Sequence, residues 1–233
     1  MKISLMFHEV GFSNFSGFYN SKHYNYVISK KEFLDLIKLS KSLAQTHNIN
    51  FEFSFDDGGI SNLYSAEILN EYDIKGIFFI PTKYIGSKGF MNKNHILEIK
   101  NNGHNIGTHT HSHPFFLNKF SYQDQSKEWN KSIDILENIL MDKVSLASAP
   151  NGFYNDSTFN ILYKRKIKKL FTSKPSILTE SPFANFDVSG RMAIRKNSNN
   201  HLILSNNYFY YKKNLIRYNI LNKIKDIFPF IWK

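Results

Sequence analysis

Cysteine is absent from the 233 residues. That excludes a disulfide framework, a thiolate metal site and a cysteine nucleophile. Any transition metal has to be held by histidine and carboxylate. No uninterrupted apolar run reaches the length of a membrane span. No internal repeat or low-complexity linker interrupts the chain. Acidic residues are the scarcer charge: 19 Asp and Glu against 30 Lys and Arg give a formal net charge of +11. Such a surplus serves solubility, or draws the chain to an anionic partner such as a nucleotide-linked sugar, an acidic glycan or an anionic membrane face. Nucleic acid is not an expected partner, because the basic residues are interleaved along the chain without a recognised binding motif.

The opening MKISLMFHEV has too short an apolar stretch for a signal peptide before His8 and Glu9 interrupt it. The expectation is a cytoplasmic protein, with peripheral contact at the inner membrane face as an alternative. The 42% of hydrophobic residues, with 22 Phe and 13 Tyr, suffice for one sizeable, ring-rich domain.

Short apolar strands alternate with amphipathic segments, the pattern of an α/β domain with a mainly parallel sheet. Strands are expected at Ile3–Phe7, Phe51–Phe55, 76–80, 104–109, 144–150 and 169–173. Helices are expected from Ser29 to His47, through Ala66, Leu69 and Tyr72, over Asn94–Asn101, from Ser121 through Leu140, and over Asn155–Lys166. Ser29 and Glu32 form a capping-box signature. Phe33, Leu36, Ile37, Ser40, Leu43 and Ala44 then fall on one helical face. Residues 174–200 read as turn-rich and irregular.

Ligands collect at the carboxyl ends of parallel strands. Four expected strand ends carry His8, the pair Asp56-Asp57, the run His109 to His113, and Pro150-Asn151-Gly152. In GTHTHSHP three histidines alternate. His109 and His113 share a face in a helical turn, and all three histidines would in an extended segment. Imidazoles suit Zn²⁺ or a similar divalent ion, and a catalytic site takes three protein ligands. Asp56 and Asp57 each offer a carboxylate as the third. A nearby dication also offsets the repulsion between them. One of the two can then ligate while the other acts as general base. Gly58 and Gly59 permit a sharp turn and close backbone approach. Alone, DDGG reads as a turn with a helix cap.

These residues resemble a known family. FSFDDG resembles the TFDDG motif of the polysaccharide deacetylases (NodB-homology, carbohydrate esterase family 4). HTHSHP is similar to their second motif, H-[ST]-x-x-H-P, about fifty residues downstream as here. SAPNG occupies the place of their third motif, R-x-P-x-G, with Ser148 where the family has Arg. LMFH at 5–8 resembles the late L-x-x-H motif moved to the front, as in the circularly permuted branch. The resemblance runs over roughly Lys2 to Arg195.

It implies a distorted (β/α)7-type barrel in a single domain. The expected domain limits are residues 1–205; beyond them, charge and apolar pattern make 206–233 a basic amphipathic segment expected to pack on the domain, a membrane or a partner. The resemblance implies Asp57, His109 and His113 as metal ligands and Asp56 as general base. His8 would be the general acid, and the N–H of Asn151, after Pro150, would hold the oxyanion. Arg191 would orient Asp56. The expected cofactor is one divalent ion, Zn²⁺ first, with Co²⁺, Ni²⁺ or Mn²⁺ as alternatives. The expected activity is metal-dependent removal of an N-acyl group, acetyl first, from an amino sugar in surface glycan biosynthesis. The substrate would be nucleotide-linked, lipid-linked or polymeric. The alternatives are a catalytically silent carbohydrate-binding relative and a deformylase. His23, His47, His95, His104, His111 and His201 carry no expected role.

Overall fold

Phe53 and Phe55 alternate with Ser54 along a strand that is buried on both sides. That is the mark of a parallel strand covered by helices on one face and by its own barrel on the other. The computed structural model describes residues 2–11, 16–18, 24–47, 49–175 and 183–196. Its elements are β1 (Lys2–Phe7), β2 (Glu9–Val10), β3 (Val27–Ile28), α1 (Lys30–His47), β4 (Asn50–Phe55), α2 (Ser61–Glu71), β5 (Gly76–Ile80) and α3 (Lys93–Asn101). Then come β6 (Asn105–Thr108), α4 (Tyr122–Leu140), β7 (Leu146–Ser148), α5 (Asp156–Lys164), β8 (Lys169–Thr172), β9 (Asp187–Gly190) and β10 (Met192–Ala193).

The main sheet runs β10-β1-β4-β5-β6-β7-β8-β9, and its pairings are parallel. Its two edges are one segment. Residues 187–190 pair with β8, residues 192–193 pair with β1, and Arg191 stands at the switch. Counted as one stave with β1 and β4 to β8, this segment makes the distorted (β/α)7-type barrel that the sequence motifs imply. β2 and β3 form a separate short parallel pair.

The outward face of the barrel meets the helices through Leu5, Phe7, Phe53, Phe55, Phe78, Trp129, Ile133 and Leu136. Inside, Ile77, Phe79 and Phe171 form a second apolar cluster. Burial of two such faces is the main source of stabilisation.

Helix starts follow the local chemistry. Ser29 and Glu32 bond reciprocally at the start of α1, Ser121 caps α4, and Asn155 with Thr158 forms a capping box at α5.

One expectation fails. Part of the stretch read as irregular, 174–200, contains β9 and β10. These pieces are short, carry Asp187, Ser189 and Gly190, and are held by pairing on both sides rather than by an apolar period of their own. The boundary at residue 205 and the basic segment 206–233 lie outside the described residues. Among the described residues, no helix is long and apolar enough to cross a membrane.

Candidate metal centre and cleft

Parallel strands all deliver their last residue to the same end of the barrel. His8 follows β1, Asp56 and Asp57 follow β4, His109 follows β6, and Ser148 ends β7. The N–H of Asp56 still bonds to the Phe7 carbonyl at 3.0 Å, so these two strand ends are locked together. Beyond it the chain turns at once. Asp57 (φ 73°) and Gly58 (φ 63°) are both left-handed, a conformation that Asp and Gly tolerate best. Gly59 has no room for a side chain: a Cβ there would lie 2.2 Å from Glu9 Oε1 and 2.6 Å from Ser16 Oγ.

The turn brings three ligand atoms together. One atom each of Asp57, His109 and His113 lies within 4.8 Å of the other two. His113 Nε2 is 3.3 Å and His109 Nε2 3.5 Å from the same oxygen, Asp57 Oδ1. A tetrahedral ion with bonds of roughly 2.0–2.1 Å sets its donors about 3.3 Å apart, and these two distances match it. The donor chemistry fits too. His109 Nδ1 lies 2.8 Å from the Ser148 carbonyl, which can only accept, so the proton sits on Nδ1. Nε2 is left facing a carboxylate oxygen, and either a proton on Nε2 or a cation between the two atoms satisfies that pair. Burial opposes charge on His109, yet Asp56 and Asp57 outweigh it and hold its pKa above the usual imidazole value. At Asp57 burial opposes ionisation, but the bonds from His109 and His113 hold its carboxyl well below the usual range.

Asp56 borders the same group, with its Oδ2 3.7 Å from His109 Nε2. Arg191 Nη1 and Nη2 each donate to one of its oxygens at 2.7 Å. Arg191 also donates to Ser54 Oγ at 3.1 Å, Ser148 Oγ at 2.7 Å and the Thr172 carbonyl at 3.2 Å. All five of its N–H donors are thus engaged, and the rings of Phe79 and Phe171 lie 5.4 and 5.7 Å from the guanidinium carbon. The hydroxyl of Ser148 fits where it does because the guanidinium arrives from the barrel's closing segment. Burial raises the cost of ionising Asp56, and Arg191, with His109, more than offsets it, so its pKa is lowered.

His8 Nε2 lies 4.0 Å from Asp57 Oδ2. Its ring packs on Tyr26 with centroids 4.4 Å apart, and Asn62 Nδ2 donates to its carbonyl at 2.7 Å. Burial lowers its pKa, against the pull of Asp57 and Asp56. Pro150 opens a 3-10 turn in which Asn151 is left-handed (φ 54°). The N–H groups of Gly152 and Phe153 donate to the Ala149 and Pro150 carbonyls, and Asn151 stands exposed beside them. Phe18 lies 4.6 Å from the His113 ring and touches Tyr84 and Phe90. Phe153, two residues after Asn151, packs with Phe116, their ring centroids 5.2 Å apart.

All eight residues singled out from the sequence therefore lie at one end of the barrel, with Asp57, His109 and His113 in one group and Asp56 with Arg191 beside it. Of the remaining histidines, His104 is structural. It accepts the Gly76 N–H at 3.0 Å and donates to the Ala66 carbonyl at 3.1 Å. His95 completes the cap of α3, and His111 bonds Thr82. His23, His201 and the side chain of His47 lie outside the described residues. Sequence reading passed over Glu9, which is buried beneath the Asp57 turn, accepts from Ser61 Oγ and has its pKa pushed up by burial to about 7. A charged residue next to His8, at the end of an apolar strand, was its only signal.

The polysaccharide deacetylase profile matches residues 45–170. The protein YxkH of Bacillus subtilis (strain 168) is 29% identical over 123 residues, which are 52% of this chain and 44% of that relative. The chain thus spans less than half the length of that relative. Among solved structures, IcaB from Ammonifex degensii superposes with a TM-score of 0.72 at 19% identity, covering 91% of this chain and 97% of that one. The Streptococcus pyogenes deacetylase PplD in complex with acetate gives 0.68 at 21%, covering 82% and 92%. The de-N-acetylase from Aggregatibacter actinomycetemcomitans gives 0.69 at 14%, covering 92% and 99%. At these identities the likeness is one of fold.

Proposed function

The chain belongs to the polysaccharide deacetylase family, and from that premise we propose that it is a metal-dependent hydrolase removing an N-acyl group, acetyl first, from an amino sugar of a glycan or glycan precursor. The observation that carries this reading is the meeting of Asp57, His109 and His113 beside a carboxylate held by Arg191. Two imidazoles and one carboxylate suit Zn²⁺, with Co²⁺, Ni²⁺ or Mn²⁺ as alternatives. A divalent ion bound there supplies Lewis acidity, which makes water a nucleophile near neutral pH and polarises the acyl oxygen.

The chain's own groups divide the remaining work. Asp56 accepts the proton of the attacking water. Its two bonds to Arg191 keep it ionised and fix its direction, at the expense of basicity. The N–H of Asn151 donates to the acyl oxygen as negative charge develops; one such donor is worth about 3 kcal/mol. His8 Nε2 hands a proton to the departing sugar nitrogen. Its lowered pKa makes the protonated ring a stronger acid toward that poor leaving group. The net change is amide plus water to carboxylate plus ammonium, the water's protons passing by way of Asp56 and His8 to the sugar nitrogen. Phe18, packed on the His113 ring, offers a face to the C–H surface of a sugar ring.

The test combines metal analysis with acetate release from nucleotide-linked, lipid-linked and polymeric N-acetylated sugars. Release is expected in the wild type and lost in Asp57→Ala and His113→Ala with the fold retained. Bound metal without release from any of them would point instead to a silent carbohydrate-binding relative. Equal release from the ligand variants would remove the reading.

A further inference from the structure

The loop after β6 carries two of the three ligands in a backbone shape that ordinary side chains disfavour. Thr110 has φ 62° and His113 φ 55°. Something must hold it there, and the polar groups of the loop show what does. The carbonyls of Thr110 and His111 accept from the N–H groups of Thr82 at 3.2 Å and Lys83 at 2.9 Å. Tyr84 Oη donates to the Ser112 carbonyl at 3.3 Å, and the His113 N–H donates to Thr110 Oγ1 at 3.2 Å. The N–H groups of His111 and Ser112 converge on one carboxylate oxygen, Glu128 Oε2, at 3.0 and 2.7 Å. Ser112 Oγ donates to the other, Oε1, at 2.7 Å.

Glu128 comes from the middle of α4, whose Trp129, Ile133 and Leu136 are anchored in the core. A rigid helix therefore presents one carboxylate to three donors of a strained loop. We propose that Glu128 is a positioning residue of the metal centre, fixing the left-handed kink that aims His113 Nε2 at the Asp57 oxygen facing His109. This rests on the metal site of the preceding section. Without the carboxylate, two part-buried N–H groups lose their acceptor and the loop is free to leave the left-handed region. His113 then turns away from Asp57. Bonding, not charge, is the working feature. A glutamine can accept both N–H groups with its carbonyl and donate to Ser112 Oγ with its amide.

The experiment measures Zn²⁺ affinity of the apo full chain by chelator competition, together with the visible absorption of the Co²⁺ form. Glu128→Ala is expected to weaken Zn²⁺ binding about 10- to 100-fold, the usual effect of losing an outer-sphere partner, and to alter the Co²⁺ bands. Glu128→Gln is expected to stay within about twofold of wild type. So is Ser121→Ala, which weakens the same helix by deleting its N-terminal cap without touching the loop. In a His113→Ala background, Glu128→Ala should have no further effect, because its route runs through His113. Should Glu128→Ala not fold, Ser112→Ala deletes one of the three bonds and is expected to weaken binding about fivefold. Wild-type affinity in Glu128→Ala, affinity in Glu128→Gln as weak as in Glu128→Ala, or full additivity with His113→Ala each overturns the proposal. A wild type that binds neither ion overturns the metal centre itself, and this proposal falls with it.

Discussion

Arg191 and Asp56 form a two-pronged ion pair, with both nitrogen–oxygen distances at 2.7 Å, and the arginine is fully buried. The pair joins the segment that closes the barrel to the strand that carries the proposed base. Fold and chemistry therefore depend on one group. A buried ion pair is weak evidence of net stabilisation, but breaking one side of it is costly, because the remaining charge stays buried without a partner.

Arg191→Met should destabilise the protein by about 3–5 kcal/mol. Arg191→Lys should recover only part of that, since one ammonium cannot reach the five sites that the guanidinium serves. The double variant Asp56→Leu/Arg191→Met should be more stable than Arg191→Met alone, because no uncompensated charge is left inside. Urea unfolding checks all three. Stability of Arg191→Met within about 1 kcal/mol of wild type would show that the pair does not hold the barrel shut.

Glu9 makes a pH-dependent contribution whose sign can be worked out. Burial, opposed by the hydroxyls of Ser16 and Ser61 and aided by Asp57, raises its pKa from 4.5 to about 7. The folded state therefore binds a proton that the unfolded chain has released across this window. Stability from this group is present below about pH 4.5 and is lost as pH rises through about 7, a change of about 3 kcal/mol. Glu9→Gln keeps an acceptor for Ser61 and cannot ionise. Measured by urea unfolding in the presence of a chelator, wild type should lose stability relative to Glu9→Gln between pH 4.5 and pH 8. Parallel curves would mean that Glu9 is ionised in the folded protein throughout.

Much of the site was legible in the sequence because its residues come in consecutive runs. Phe51, Phe53 and Phe55 announce a strand, and the chemistry begins where the alternation stops, at Asp56-Asp57. GTHTHSHP works the same way. The closing segment was not legible. It has no apolar period, and its strand character comes from β8 and β1, the latter nearly the whole described chain away. The resemblance already pointed to Arg191 as the residue that orients Asp56; that Ser148 takes a bond from the same guanidinium shows only where the barrel brings them together. Glu9 and Glu128 are single carboxylates in ordinary surroundings. Their meaning lies in the hydroxyl and backbone donors that fold onto them.

The metal centre and the structural histidine should separate in a thermal experiment. Asp57 and the loop 109–113 come from different strands, and their ligand atoms converge only in the folded chain. An ion that binds the folded state alone stabilises it by about 2.7 kcal/mol at a hundredfold excess over its dissociation constant. For a chain of this size that raises the melting temperature by roughly 5–10 °C. His113→Ala should remove most of the shift, leaving only weak residual binding, with the apo melting temperature near that of wild type, since 14% of its side chain is exposed. His104→Ala should do the reverse. It strands the Gly76 N–H and the Ala66 carbonyl, so the apo melting temperature falls, yet the metal-induced shift survives. Scanning calorimetry of the apo and Zn²⁺-loaded forms reads both effects, and an equal shift in wild type and His113→Ala would place the ion somewhere other than on Asp57, His109 and His113.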